Sequence, residues 1–306
     1  MISAVGIGAT AWCVAATGCA ARVMGIASRG VFLLAPSQQV IFVSSERYRS
    51  PLTINLDRFC DRLFAVEVGA AAHFSATRLI FPSIEFAISF SEDAVWQCPP
   101  PSGVARPRVD QLQTAQAIAD GVLARRGIDG LASVLPAVLG SVVAPALSAE
   151  QTVWVGQLLA VRQALRANDA AAVLTGLSGM LGQGRGLTPS GDDVVVGLLL
   201  MLARSSRLNL QAGSALRMNS QAGSENMLKH VVAAAYQRTT TLSANLIECA
   251  ADGQGDERLI TVADGIVTAS ASIDKCVEGL LGWGSSSGIA ALVGMVIPLS
   301  GRGICT

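Results

Sequence analysis

The hydrophobic pattern changes character once along the chain. In the first hundred residues apolar positions recur at period two. Ile84-Glu85-Phe86-Ala87-Ile88-Ser89-Phe90 sets Ile and Phe on alternate positions, and Val31 to Ala35, Val40 to Ser44 and Leu52 to Leu56 are short extended runs bounded by Gly, Pro and Ser. Period two is the repeat of a strand with one buried face, so this part is predicted to be β-rich. Pro99-Pro100-Pro101, followed by Pro107, then reads as a stiff linker, because proline fixes φ and cannot donate to a ladder. Beyond it the texture is rich in Ala and Leu, and the pattern predicts helices over 110–126, 148–166, 169–181, 188–204, 225–237, 240–252, 257–271, 274–281 and 288–299. Ser148 and Gln151 have the spacing of a capping box at the second of these. Residues 205–225 are rich in Ser, Asn, Gly and Gln and carry Gln-Ala-Gly-Ser twice, at 211–214 and 221–224. That repeat is too short for a solenoid, and the segment is predicted to be a mobile surface insertion. The expected fold is therefore α+β, with a small N-terminal β-rich domain over 1–105 and a larger, mainly helical domain over 106–306.

Composition narrows the function classes. Of 306 residues, 51% are hydrophobic and only 14% charged, which implies extensive burial and excludes a disordered chain. Twenty-two basic and 22 acidic residues cancel, so nothing in the balance favours nucleic acid or an anionic membrane. Seven cysteines, Cys13, Cys19, Cys60, Cys98, Cys249, Cys276 and Cys305, are odd in number and without a C-x-x-C pair, the pattern of reduced thiols and a cytoplasmic location. Two uncharged stretches bear on that location. Residues 1–21 lack the basic start of a signal peptide and read as folded domain. Gly279 to Gly301 is long enough to span a bilayer, but Gly282, Gly284, Ser285, Ser286, Ser287 and Gly288 cut it into two short helices and a loop, which reads as buried core.

Candidate chemistry concentrates at three predicted helix starts. The first, Gly182 to Asp193, combines a glycine loop, Arg185, an N-cap at Thr188, Pro189 in the first turn, and two adjacent acids. Gly184, Arg185, Gly186, Thr188, Ser190 and Gly191 offer N–H groups, hydroxyls and a positive charge to an anion. Asp192 and Asp193 either hold a Mg²⁺ ion, the one cofactor these residue types suggest, or complement the helix dipole; adjacent helical residues point about 100° apart, so one of them is expected to face the site. The second start is Arg238-Thr239-Thr240-Thr241 with Ser243, and the third is Gly284-Ser285-Ser286-Ser287-Gly288. Each on its own is a capped helix or a loop; together, Thr240, Thr241, Ser285, Ser286 and Ser287 are expected to converge with the first start on one small anion. With only His73 and His230 in the chain, and neither near a serine cluster, a Ser-His-Asp hydrolase and a histidine-rich metal site are both disfavoured.

The order of these motifs resembles the AllH-like family of oxamate carbamoyltransferase subunits. The resemblance is carried by Gly-x-Gly-Leu-Thr-Pro-Ser-Gly-Asp-Asp-x-x-x-Gly at 184–197, the Thr-Thr-x-Ser block at 240–243 and the Gly-x-Ser-Ser-Gly block at 284–288. It is clear over about 170–300 and weaker upstream, where Arg22 to Asp57 looks like the family's β-rich opening. It implies a subunit associated with exchange of a carbamoyl group between oxalurate and phosphate in allantoin breakdown. This chain departs from the pattern in its third block, where relatives commonly carry a His after the first glycine and an Asp shortly after the second. The expected ligand is thus phosphate, carbamoyl phosphate or an oxamate-like acid, and the expected partners are other carbamoyltransferase subunits or further copies of this chain. The alternative is a non-catalytic assembly or ligand-binding subunit of a multi-chain enzyme.

Overall fold

The computed structural model describes residues 2–58, 60–127, 129–140, 146–211 and 221–299, with 209–211 and 221–225 described in backbone only. The fold is α+β and divides into two compact units, Met1–Pro99 with Gln254–Glu257, and Pro100–Gly253 with Arg258–Thr306.

The first unit is a closed sheet. In chain order it comprises β1 (Ile2–Gly8), α1 (Ala9–Ala16), β2 (Ala20–Ala27), β3 (Gly30–Leu34), β4 (Val40–Ser44), β5 (Thr53–Leu56), β6 (Ala71–Ser75), β7 (Arg78–Phe81), β8 (Phe86–Ser89) and β9 (Val95–Trp96). The strands run in the order β5-β4-β3-β2-β6-β7-β8-β1-β9, and β1 also pairs antiparallel with β5, which closes eight of them into a barrel. β8 and then β9 pair along the same edge of β1, at Ile2–Ser3 and Ile7–Gly8. Closure removes the open edges that a small sheet would otherwise expose. Alternation fills the inside: in β6 and β7 every second residue is buried, Ala72, Phe74, Leu79 and Phe81 among them. The extended runs near 31–35, 40–44 and 52–56 appear as β3, β4 and β5. The run expected from 84 to 90 is shorter, because Pro82–Ile84 form a 3₁₀ turn that ends on Glu85 at φ 47, and only Phe86–Ser89 is extended.

The second unit is helical: α2 (Arg108–Arg126), α3 (Leu135–Leu139), α4 (Ala149–Ala167), α5 (Ala170–Met180), α6 (Ser190–Gln211), α7 (Gln221–Arg238), α8 (Thr241–Ala251), α9 (Glu257–Thr268), α10 (Ile273–Leu281) and α11 (Ser287–Val296). The capping box at Ser148 and Gln151 is formed in both directions. At the centre lie α6 and α11. Every residue from Gly191 to Met201 is buried, as is every residue from Gly288 to Val296, and apart from Asp192 and Asp193 these two stretches are apolar all round because they are enclosed on all sides. Their backbones approach closely: a Cβ on Gly197 would stand 1.9 Å from the Ala291 carbonyl oxygen, and one on Gly294 2.0 Å from that of Val194. Among the described residues no helix is long and apolar enough to cross a membrane. Residues 279–299 instead give the end of α10, a loop, α11 and a turn over 297–299, and residues 300 and 301 lie outside the described residues.

The insertion expected at 205–225 is narrower than the composition implied. Buried Leu208 continues the stripe of Leu198 and Met201, so α6 runs on to Gln211, and α7 already starts at Gln221; residues 212–220 lie outside the described residues.

Candidate functional site

The starts of α6, α8 and α11 are joined by side chains from all three. The Thr188 hydroxyl donates to Asp193 Oδ2 at 3.4 Å and lies 3.2 Å from the Ser287 hydroxyl, 99 residues away in sequence. Thr240 caps α8 by accepting the Ser243 N–H at 3.1 Å and donates its hydroxyl to the Leu187 carbonyl at 2.9 Å. Thr239 donates to Asp192 Oδ2.

The two adjacent acids have separate jobs. Asp192 is fully buried and both its oxygens are engaged, Oδ1 by the Gly182 N–H at 2.8 Å and Oδ2 by Thr239, so it ties the glycine loop to the turn before α8. Asp193 is just as buried, yet its Oδ1 has no hydrogen-bond partner. Burial pushes the Asp193 carboxyl up to about 7; hydrogen bonds from Ser287 and Thr188 oppose that shift, and the Asp192 charge adds to it. Both acids stand in the first turn of α6, shielded from solvent. Among the described residues no group of three or more His, Cys, Asp or Glu side chains is placed to hold a metal ion.

The glycine loop itself is open. Gly184 and Gly186 take φ of 112° and 103°, values that L side chains rarely adopt, and Gly184, Arg185, Gly186 and Leu187 are exposed. Among the described residues, Arg185 forms no hydrogen bond or ion pair, and the backbone N–H groups of 184–188 have no acceptor.

Two expectations are corrected, those for Thr188 and Gly191. Thr188 does not cap α6: the helix begins at Ser190, Pro189 O accepts the N–H groups of Asp192 and Asp193, and the Thr188 hydroxyl turns toward Asp193 and Ser287 instead. Gly191 offers no donor, since its N–H is taken by Gln183 O at 2.9 Å and a Cβ there would stand 2.0 Å from Met180 O; it is a packing glycine. Ser190 is half-buried, its backbone against Gly184. Thr241 is half-buried and, among the described residues, its hydroxyl makes no hydrogen bond. Ser285 and Ser286 are exposed; Ser285 contributes its carbonyl to the Arg126 guanidinium, and the Ser286 carbonyl accepts from Ile289 and Ala290. Sequence reasoning missed Arg126 and Arg258, which brace the third loop at Ser285 O and, at 2.6 Å, at Gly282 O. No spacing signal points from them to that loop.

Residues 180–299 match the family described as oxamate carbamoyltransferase subunit AllH, so the resemblance carried by the three motifs holds over that stretch. The matched segment contains the starts of α6, α8 and α11, whereas residues 22–57 fall outside it. No curated protein matches the chain. No solved structure matches it either.

Proposed function

We propose, from the family match over residues 180–299 and the loop geometry, that this chain is a carbamoyltransferase component whose helical unit binds phosphate, carbamoyl phosphate or an oxamate-like acid. One pairing carries the reading: an exposed loop of unengaged N–H groups, Gly184 to Thr188, and a buried carboxyl, Asp193, reached through the Thr188 and Ser287 hydroxyls. The loop holds the anionic oxygens, with Arg185 adding charge from the solvent side. When oxalurate gives up its carbamoyl group, a phosphate oxygen bonds to the carbamoyl carbon and the C–N bond to oxamate breaks, its electron pair staying on nitrogen. That nitrogen takes up one proton, which the neutral Asp193 carboxyl supplies through the Thr188 and Ser287 hydroxyls and regains from the attacking hydrogen phosphate. A carboxyl held near neutrality suits that exchange.

The test is calorimetric titration of inorganic phosphate and oxamate, with transfer assayed in the presence of the partner chains. Arg185→Ala weakens binding by roughly two- to tenfold and leaves the melting temperature unchanged, because the side chain is exposed and makes no hydrogen bond or ion pair among the described residues. Thr188→Val keeps binding but removes the fall in transfer rate as pH rises through about 7, the limb set by the neutral Asp193 carboxyl. Absence of saturable binding to the unmodified chain rejects the anion site.

One observation favours the alternative of an assembly subunit. Gly191, Gly197, Gly288 and Gly294 are all occupied by close backbone approach, so several of the glycines in this region serve helix packing. A chain that binds no anion yet restores transfer by its partner chains supports that reading.

A further inference from the structure

The turn between α7 and α8 holds the glycine loop at both of its ends. At the base, the Gly182 backbone lies against the turn, so that a Cβ on it would stand 2.7 Å from the Arg238 carbonyl oxygen. The Gly182 N–H donates to Asp192 Oδ1 at 2.8 Å, and the other oxygen of the same carboxylate accepts the Thr239 hydroxyl. The Gly191 N–H closes the base further by donating to the Gln183 carbonyl at 2.9 Å. At the far end the next residue of the turn, Thr240, donates to the Leu187 carbonyl at 2.9 Å. Between these anchors Gly184, Arg185 and Gly186 are exposed, with both glycines at positive φ.

A glycine-rich span left to itself samples many conformations, and an anion that gathers its N–H groups has to offset the entropy of fixing them. Anchors that fix the span before the anion arrives remove that cost from binding. Asp192 is suited to anchoring and not to ligand contact, because it is fully buried and each of its oxygens already accepts from the protein. Thr239 is the group that reaches it from the turn, and its hydroxyl proton is spent on Asp192. Thr239 and Thr240, adjacent in sequence, thus serve opposite ends of one loop: the first acts on the base through Asp192, the second on the tip directly.

We propose that Thr239 is a positioning residue for the anion loop: through Asp192 it holds the Gly182 N–H, and with it the base of the loop, in the arrangement that presents the N–H groups of Gly184 to Thr188 to an oxyanion. This role rests on the anion-binding reading of the loop.

Inorganic phosphate is titrated calorimetrically into the full chain, unmodified and as Thr239→Val, which removes the hydroxyl and keeps the shape, and Thr239→Ser, which keeps the hydroxyl. The expected result is an affinity about three- to tenfold weaker in Thr239→Val and within about twofold of the unmodified chain in Thr239→Ser. A merely structural role would lower the melting temperature of Thr239→Val and leave its phosphate affinity unchanged, and that outcome overturns the proposal. Equal weakening in both variants overturns it too, since the hydroxyl would not then be the group that acts. Absence of phosphate binding to the unmodified chain rejects the anion reading itself, and the positioning role with it. Amide hydrogen exchange on the unmodified chain decides the matter if Thr239→Val fails to fold. Because opening of the Gly182–Asp192 bond is expected to release the anion, phosphate at about ten times its dissociation constant slows exchange of the Gly182 N–H by roughly tenfold. A Gly182 rate unchanged by saturating phosphate overturns the proposal.

Discussion

The buried carboxyl of Asp193 makes the stability of this protein depend on pH in a direction opposite to that of most acids. Its affinity for protons rises from an ordinary carboxyl value of 3.8 to about 7 in the folded chain, chiefly because burial disfavours the charged form. The folded state therefore binds this proton more tightly than the unfolded state does. Below about pH 4 both states hold it and there is no penalty; as pH rises toward and through 7 the folded state pays increasingly to keep the group buried or to ionise it. Each pKa unit corresponds to 1.36 kcal/mol, so the full shift amounts to about 4 kcal/mol of stability lost by pH 8. Asp193→Asn removes the titration and keeps the shape. Its amide oxygen still accepts from Thr188, but its NH₂ replaces the unpartnered Oδ1 and leaves a buried donor unpaired, at a cost of about 1–3 kcal/mol. The net expectation is a variant more stable than the parent by roughly 1–3 kcal/mol at pH 8, with the order reversed at pH 4. Urea unfolding of both proteins at closely spaced pH values between 4 and 8.5 measures this. Parallel pH profiles would refute the reasoning, since the shift could then not belong to Asp193. A parent whose high-pH stability rises with added Mg²⁺ and falls with chelator would instead place a cation on the unpartnered oxygen.

Two further predictions concern the core. Arg204 is fully buried and forks onto Asp264 with two bonds of 2.6 Å while a third nitrogen reaches Gly253 O at 3.0 Å, so Arg204→Ala leaves a carboxylate without its partner and costs about 3–5 kcal/mol in chemical denaturation. A loss below about 1 kcal/mol would show that Asp264 is solvated well enough without it. Gly197→Ala sets helix propensity against packing: alanine gains about 1 kcal/mol in a free helix, but here its Cβ would stand 1.9 Å from the backbone oxygen of Ala291 and force α6 and α11 apart, so the melting temperature falls. An unchanged or raised melting temperature would mean that these helices are not held at that distance.

The helices of the second unit were legible because their signals are local. The capping box at Ser148 and Gln151 and the cap at Thr240 involve residues three apart, and the uninterrupted apolar runs of α6 and α11 announce enclosure whatever surrounds them. In the first unit alternation identified β3, β4 and β5, but β1, β2, β6 and β7 went unread, since their register and the closure of β1 on β5 are set by pairings dozens of residues apart.

The sequence by itself determined that three hydroxyl-rich segments, two of them also rich in glycine, sit at helix starts and that two acids lie in the first turn of one of them. Only the tertiary structure decided that Asp192 is consumed by Gly182 and Thr239 while Asp193 keeps an unpartnered oxygen, and that Thr188 meets Ser287 in place of capping its own helix. Periodicity and capping are governed by neighbours within a turn or two of chain. The state of a buried polar group is governed by which surfaces close over it, and that depends on how α6 and α11, nearly a hundred residues apart, pack against each other.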